Sequence, residues 1–359
     1  MAEQKNIDFY ISSLSGGGAE HVLVNLAASF LKMGNNVSIT SLERRKQFYE
    51  VDDAIEVIRY DHTKDNTLIG IIKDILSVRK QLKSRKDTDV AVSFLGRTNI
   101  VLSIASIGIK KKVVICDRNN LARKYSKWVF WLLCAIYSLA DELIVQTNEI
   151  IDVYPKFLRK KIRVLENPLD FQEMDEQCVE GMKKANTLLS VGRLERQKDY
   201  KTLIAAFAEI ADDHKDWNVK IYGKGEMKEE IQKWIDQSGM TERIILCGVT
   251  HTPFLEMKKA KIFVLSSFFE GFPNVLCEAM YASLPCIATA CQSGPRDLIQ
   301  DGENGLLVEV GNVHEMAEKM DLLMNNEKMR DSLGTEAHKR ILRLDSKIVC
   351  KRWLDTLVN

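Results

Sequence analysis

The run FFEGFPNVLCEAMYASLPCIATACQSGPRDLIQDGENGLLV, Phe268 to Val308, packs a helix start, a strand, a turn and a second strand into one short stretch. Gly271 permits close backbone approach, and Pro273 and Asn274 are residue types found at helix starts. Val275, Leu276, Ala279 and Met280 then recur at helical spacing. The first turn of such a helix carries roughly half a positive charge and unpaired amides, which suit a phosphate. Two carboxylates, Glu270 and Glu278, flank this start with seven residues between them. Glu278, one turn in, can accept hydrogen bonds from two neighbouring ribose hydroxyls. Taken alone, the pair reads equally as two solvated acids on a capped surface helix.

Upstream, LLSVGRLERQKDYKTLIAAF gives a short apolar strand, then Arg193 and Lys198, then a helix with Leu203, Ile204 and Phe207 on one face. Arg offers a planar fork of donors and Lys a mobile point charge. Together they suit a diphosphate whose β-phosphate is becoming a leaving group. Either cation alone is usually a solvated surface charge.

Strands and helical stretches alternate along the whole chain. In the first half the strands are Ile7–Ser12, Val37–Thr40, Val90–Phe94, Val113–Cys116 and Leu143–Gln146. In the second they are Thr187–Val191, Val219–Tyr222, Ile244–Cys247, Ile262–Leu265, Ile287–Thr289 and Gly305–Val308. This alternation argues for parallel sheets covered by helices. Asn167-Pro168 breaks it in the middle, and 359 residues exceed one ordinary core. The expected division is 1–166, 167–335 and a last helical stretch, 336–359, crossing back to the first domain. Two Rossmann-like α/β domains facing a ligand cleft are therefore expected.

With the segments in order, the chain resembles the retaining glycosyltransferases of family 4, which have the GT-B fold. The resemblance rests on LSGGGAEHVLVNLAASFLKMGNNVSIT from Leu14 to Thr40, then VGRLERQKDY, EGFPNVLCEA and DGENGLLVEVGN. It implies transfer of a sugar from a nucleotide-sugar with retained configuration and without a metal or other cofactor. By motif, Arg193 and Lys198 would hold the diphosphate, Glu270 the sugar hydroxyls and Glu278 the ribose. Gly271, Phe272, Pro273, Asn274, Val275 and Leu276 would line the donor, with Gly223 and Val249 approaching the nucleotide. Gly225, Gly248 and Thr250 lie in the same two loops. Gly16, Gly17 and Gly18, a turn without the GxGxxG spacing of a dinucleotide fingerprint, would face the donor phosphates or the acceptor. A simple strand-to-helix turn is the alternative there, and His21 reads as a helix residue beside it.

Two departures from the family stand out. Asp297 occupies a position usually held by glutamate. The loop ICDRNN lacks the family's usual histidine; Asp117, Arg118 and Asn119 take its place as candidates for sugar or acceptor binding. Retention without a well-placed protein nucleophile implies, in the family's usual account, that the donor β-phosphate accepts the acceptor's proton. A short-lived covalent adduct is the other route.

Composition bounds the function further. The chain has a net charge of only +1, but residues 1–166 carry +7 and the remainder −6. Between Lys64 and Lys127, 15 basic residues meet 5 acidic ones. A patch of Lys110, Lys111, Lys112, Arg123, Lys124 and Lys127 with Trp128 therefore suits an anionic membrane surface or a lipid diphosphate. A solvated helix face, with the aromatic residues buried between helices, is the alternative. The longest apolar stretch, Trp128 to Ala140, has 13 residues, too few to span a bilayer. Asp8 inside the first apolar run argues against an export signal. Eight scattered cysteines fit reduced thiols, and six unclustered histidines give a zinc site little support. A cytoplasmic enzyme, peripheral on the inner face of the plasma membrane, is expected. VSFLGRTNIVLSIAS and the ICDRNN loop resemble transferases that build surface or protein-linked glycans on a polyprenyl diphosphate. That resemblance implies a UDP-sugar and a polyprenyl-diphosphate-linked glycan as partners, with N-acetylgalactosamine the first choice of sugar and glucose or galactose the second. The rival readings are a nucleotide-sugar 2-epimerase of the same fold and a non-catalytic transferase subunit.

Overall fold

A computed structural model describes residues 4–15, 17–43, 45–62, 67–118, 125–177 and 183–358. Gly16, Asn119, Arg123 and Lys124, named above as candidates, lie outside them. The chain forms two compact units: the first runs to Pro168 and resumes at Ser346, and the second is Leu169–Asp345.

The first unit is built on a seven-stranded sheet of β1 (Asn6–Ile11), β2 (Asn36–Glu43), β3 (Glu56–His62), β4 (Val90–Phe94), β5 (Lys112–Cys116), β6 (Glu142–Val145) and β7 (Ile162–Val164). The order is β3-β2-β1-β4-β5-β6-β7, and every pairing is parallel. Helices cover both faces, so the inner strands are apolar on both sides, as VAVSF of β4 shows by being buried throughout. Asp8 is tolerated inside β1 because the hydroxyls of Ser38 and Thr88 donate to its carboxylate at 2.6 and 2.7 Å. β3 and β7, the two edges, were not among the strands expected from sequence.

The second unit holds β8 (Thr187–Val191), β9 (Asn218–Tyr222), β10 (Ile244–Gly248), β11 (Ile262–Leu265), β12 (Cys286–Thr289) and β13 (Leu306–Val308) in the order β10-β9-β8-β11-β12-β13. All of its pairings are parallel too. The chain winds outward from β8 to β10, returns to the other side of β8, and winds outward again. The strand order thus reverses between β8 and β11, and ligands of open α/β sheets collect outside the carboxyl ends of strands at such a point.

The last helical stretch differs from the expectation of one helix from 336. It is two helices, Glu327–Ile341 in the second unit and Ser346–Val358 in the first. Between them Asp345 adopts an extended conformation, φ −47° and ψ 132°, that no helix continues through. The unit boundaries accordingly fall after Pro168 and Asp345 instead of after 166 and 335. In the first unit the final helix is anchored by Trp353, which is fully buried, stacks on Phe94 and donates its indole N–H to the Glu166 carbonyl at 2.9 Å.

Candidate active site of the second unit

The loops that leave β8 and β11 meet at the reversal point. After β8, residues Arg196–Lys198 make a single tight turn, and Asp199 then caps the helix Tyr200–Ile210 from a left-handed conformation, φ 45°. After β11, residues 266–273 lead into the helix Asn274–Tyr281. Hydrogen bonds to the backbone fasten the two loops: Phe268 N–H donates to the Gln197 carbonyl at 2.8 Å, and the Ser266 hydroxyl donates to that of Lys198 at 2.8 Å.

Lys198 and Glu270 are thereby brought together. The Lys198 ammonium donates to Glu270 Oε1 at 2.7 Å, and the two side chains are only 12% and 7% exposed. Ser267 Oγ donates to the same carboxylate oxygen at 2.6 Å. Gln197 Nε2 reaches the other at 3.4 Å and the Phe269 carbonyl at 2.8 Å. Arg193 stands farther out, 64% exposed, with its guanidinium on Glu195 at 2.9 Å and on Gln197 Oε1 at 3.2 Å. Gln197 therefore links the exposed fork of Arg193 to the buried pair. The loop after β12 closes the back of the arrangement, since Ser293 Oγ donates to the Glu270 carbonyl at 2.7 Å. Gly294, at φ +81°, lies where a Cβ would come within 2.7 Å of Pro273 Cδ.

Glycines let the neighbouring loops press backbone on backbone. A Cβ on Gly223 would stand 1.8 Å from the Gly192 carbonyl oxygen, and one on Gly225 would stand 2.2 Å from that of Leu194. At Gly192 a Cβ would meet the Lys198 side chain at 3.0 Å, so this glycine makes the channel in which the lysine lies. Replacing Gly225 by Ala is expected to cost about 1–3 kcal/mol of stability through this overlap. Urea titration checks it; an unchanged midpoint would mean the loops relax freely.

The helix Asn274–Tyr281 begins as the sequence indicates, and no side chain caps it at Pro273. Asn274 and Val275 are part-exposed on its first turn, as are Gly271 and Phe272 before it. Leu276 departs from the expectation: its side chain is fully buried and its N–H already donates to the Pro273 carbonyl at 2.9 Å. Val249 is exposed at the end of β10. Glu278 is part-buried, and its pKa is pushed up to about 7, first by desolvation and then by the charge of Glu173. The short helix Phe171–Glu176 brings Glu173 there, because Phe171 stacks on Tyr281 at 3.9 Å and Tyr281 donates to Asp175 at 2.9 Å.

The candidates of the first unit are placed differently from one another. Gly17 and Gly18 are exposed at the start of the helix Gly18–Lys32, where the Gly17 carbonyl accepts from His21 N–H at 3.0 Å. Asp117 is buried and accepts from the Tyr154 hydroxyl. Arg118 is buried as well, lying over Phe94 and Trp353, donating to Asn167, with desolvation lowering its pKa to about 10. It ties the loop after β5 to the Asn-Pro segment that ends the unit. The basic triplet is mostly turned inward: the Lys111 ammonium donates to the carbonyls of Arg85 and Thr88 at 2.5 and 2.9 Å, and Lys112 to that of Thr356 at 2.9 Å. Of the three, Lys110 alone is exposed, and Lys111 and Lys112 are part-buried. Lys127 and Trp128 are both exposed.

Gly192, Gln197, Ser267 and Ser293 complete the site and were not singled out from the sequence. Gln197 stood beside Lys198 within a quoted motif, the one signal available for it.

Residues 16–173 match the family described as Glycosyltransferase Family 4, and residues 173–340 match Glycosyl transferases group 1. A Campylobacter jejuni protein named as a GalNAc-alpha-(1->4)-GalNAc-alpha-(1->3)-diNAcBac-PP-undecaprenol alpha-1,4-N-acetyl-D-galactosaminyltransferase is 30% identical, over 97% of this chain and 97% of its own. A second C. jejuni protein, named as an N-acetylgalactosamine-N,N'-diacetylbacillosaminyl-diphospho-undecaprenol 4-alpha-N-acetylgalactosaminyltransferase, is 28% identical over 99% of this chain and 100% of its own. Among solved structures, an S. aureus TarM variant in complex with UDP superposes with a TM-score of 0.80 at 15% identity, covering 99% of this chain and 100% of its own, a likeness of fold. The chain belongs to glycosyltransferase family 4 and is a glycosyltransferase with the two Rossmann-like sheets of the GT-B fold.

Proposed function

We propose that this glycosyltransferase moves N-acetylgalactosamine from UDP-GalNAc, with retained configuration and without a metal ion, to a glycan carried on a polyprenyl diphosphate. The buried Lys198–Glu270 pair at the reversal of the second sheet, 2.7 Å apart beside an uncapped helix start, carries the donor half of this reading. The names of the two C. jejuni relatives support the sugar and the acceptor.

In the proposed reaction the bond from the anomeric carbon to the β-phosphate oxygen breaks, and the acceptor oxygen bonds to that carbon on the same face. The acceptor's proton passes to a β-phosphate oxygen and UDP departs. Lys198 and Arg193 offset the charge that gathers on the diphosphate, and the first-turn amides near Asn274 add to it. Glu270 accepts from sugar hydroxyls and Glu278 from the ribose. The protein contributes orientation and charge stabilisation.

A screen of UDP-sugars for binding tests the donor assignment: UDP-GalNAc should bind more tightly than UDP-glucose and UDP-galactose, and the reverse ranking would remove it. Two side-chain cations already serve the diphosphate in this scheme, so activity is expected to survive EDTA in full. Activity abolished by EDTA and restored by Mg²⁺ or Mn²⁺ would contradict the metal-free mechanism.

A further inference from the structure

Two helices of the first unit turn large apolar side chains to solvent. On Leu68–Ser84 the exposed residues are Leu68, Ile69, Ile72 and Leu76, with Leu68 79% accessible. On Lys127–Tyr137 they are Trp128, Val129, Trp131 and Leu132, with Trp128 87% accessible. In each helix these residues repeat at intervals of three and four, so they form a stripe on the side away from the sheet. The inward sides of both helices, through Val78, Leu82, Phe130 and Leu133, share one core cluster with Val101 and Leu102 of the helix Gly96–Ala105. The two stripes therefore lie on the same side of the seven-stranded sheet.

Charge says what covers them. The outward side of Leu68–Ser84 adds Lys73, Lys80 and Lys83, all exposed, and its one acid, Asp74, is fully buried and paired with Arg97 at 2.7 Å. Lys127–Tyr137 contains no acid. Next to it, Phe157 is exposed with its ring 6.2 Å from that of Trp131, and Lys156 and Lys160 are exposed beside it. Apolar and aromatic side chains rimmed by cations, with no exposed acid on either helix, are the composition of a surface that settles into an anionic lipid interface. Position agrees. The helices follow β3 and β5, so their first turns lie towards the carboxyl edge of the sheet, where α/β folds bind ligands. Lys112, by contrast, begins β5 at the opposite edge.

We propose that the outward stripes of Leu68–Ser84 and Lys127–Tyr137 are a membrane-docking face, with the apolar side chains entering the headgroup region of an anionic bilayer and the lysines meeting lipid phosphates. The proposal rests on a lipid-linked acceptor for its purpose, though not for its test. Among the described residues no helix is long and apolar enough to cross a membrane.

The test uses the full chain and phosphatidylglycerol/phosphatidylcholine vesicles without acceptor, read by flotation and by the emission of Trp128 and Trp131. Wild type should float with the vesicles, and its emission should shift to the blue. Part of the binding should persist at about 1 M salt, where the Debye length is about 3 Å and a purely ionic contact is screened. Ile72→Ser with Leu76→Ser, and Trp128→Ser with Leu132→Ser, should each weaken binding by about tenfold or more, whereas Lys110→Glu should change it little. UDP affinity should stay unchanged in all of them, showing that these solvent-facing substitutions leave the fold intact. Equal vesicle binding by wild type and the combined four-site variant would overturn the proposal. So would a wild-type dimer that ignores vesicles and that the same substitutions dissociate, which would make the face a contact between copies. Vesicle binding lost in the variants, in an enzyme that uses only water-soluble acceptors, would uphold the face and remove the lipid-linked acceptor instead.

Discussion

Lys198→Ala is expected to lower kcat/KM by about 2–4 kcal/mol, a factor of roughly 30 to 1,000, in a protein that stays folded. The ammonium is nearly buried, so its attraction for a departing diphosphate is little screened by water. Among the described residues its side-chain partner is Glu270, at 2.7 Å, and a carboxylate there keeps the ammonium aimed until the donor arrives. Loss of the ammonium leaves Glu270 with Ser267 and Gln197 as neutral donors. Lys198→Met separates charge from packing, because it keeps an unbranched stem over Gly192 and removes only the charge. Both variants should lose kcat more than donor affinity if the charge acts chiefly as the phosphate leaves. Nucleotide release under saturating donor measures this, with circular dichroism as the control for folding. Full activity in a folded Lys198→Met protein would remove Lys198 from the diphosphate.

Glu278→Gln is expected to trade donor affinity for stability. Folding raises the pKa of Glu278 to about 7, so the folded chain holds a proton that the unfolded chain releases nearer pH 4.5. Stability contributed by the protonated form is complete below the unfolded pKa and is lost as pH rises towards 7. At pH 8 the charged side chain costs on the order of 2–3 kcal/mol, which Gln, uncharged throughout, does not incur. The variant should therefore be more stable than wild type at pH 8 and nearly equal to it at about pH 4. Its affinity for UDP should fall, because one carboxylate oxygen has been replaced by an amide that does not accept from a ribose hydroxyl. For the same reason UDP should bind wild type more weakly as pH drops below about 7, while the variant shows little of that dependence. Equal UDP affinity in the two proteins would remove the ribose role, and equal stability at pH 8 would show that Glu278 is better solvated than its surroundings imply.

The second sheet was legible because its strands are short apolar runs between turn residues. IFVL of β11 and CIAT of β12 are buried at every position, as parallel strands covered on both faces must be. The missed strands are the edges of the first sheet. β3 reads EVIRYDH, with charges interleaved, and β7 is three residues long; an edge needs neither a continuous apolar run nor length. The break at Asp345 was hidden because helical periodicity runs on either side of it.

At the site, the sequence marked Arg193, Lys198, Glu270 and Glu278 as candidates by their place beside glycines and a helix start, and the structure pairs Lys198 with Glu270. Gln197, Ser267 and Ser293 were not marked. Such residues are common in any loop, and their value comes from the strand order that sets the loops after β8, β11 and β12 against each other. The basic triplet shows the converse limit. Sequence reveals the charge of Lys111 and Lys112, but the carbonyls of Arg85, Thr88 and Thr356 that receive them come from distant segments. Thirteen apolar residues from Trp128 were seen as a run, whereas the stripe on Leu68–Ser84 emerged only once the inward side of that helix was known.

Incubation of the purified protein with UDP-GalNAc and a polyprenyl-diphosphate-linked glycan, with released UDP and the anomeric configuration of the product read from the same sample, tests the central claim most directly. The account predicts one UDP released for each α-linked GalNAc added, and no conversion of the donor when the acceptor is withheld. Donor sugar converted in the absence of acceptor, or no transfer from any UDP-sugar by the folded protein, would contradict it.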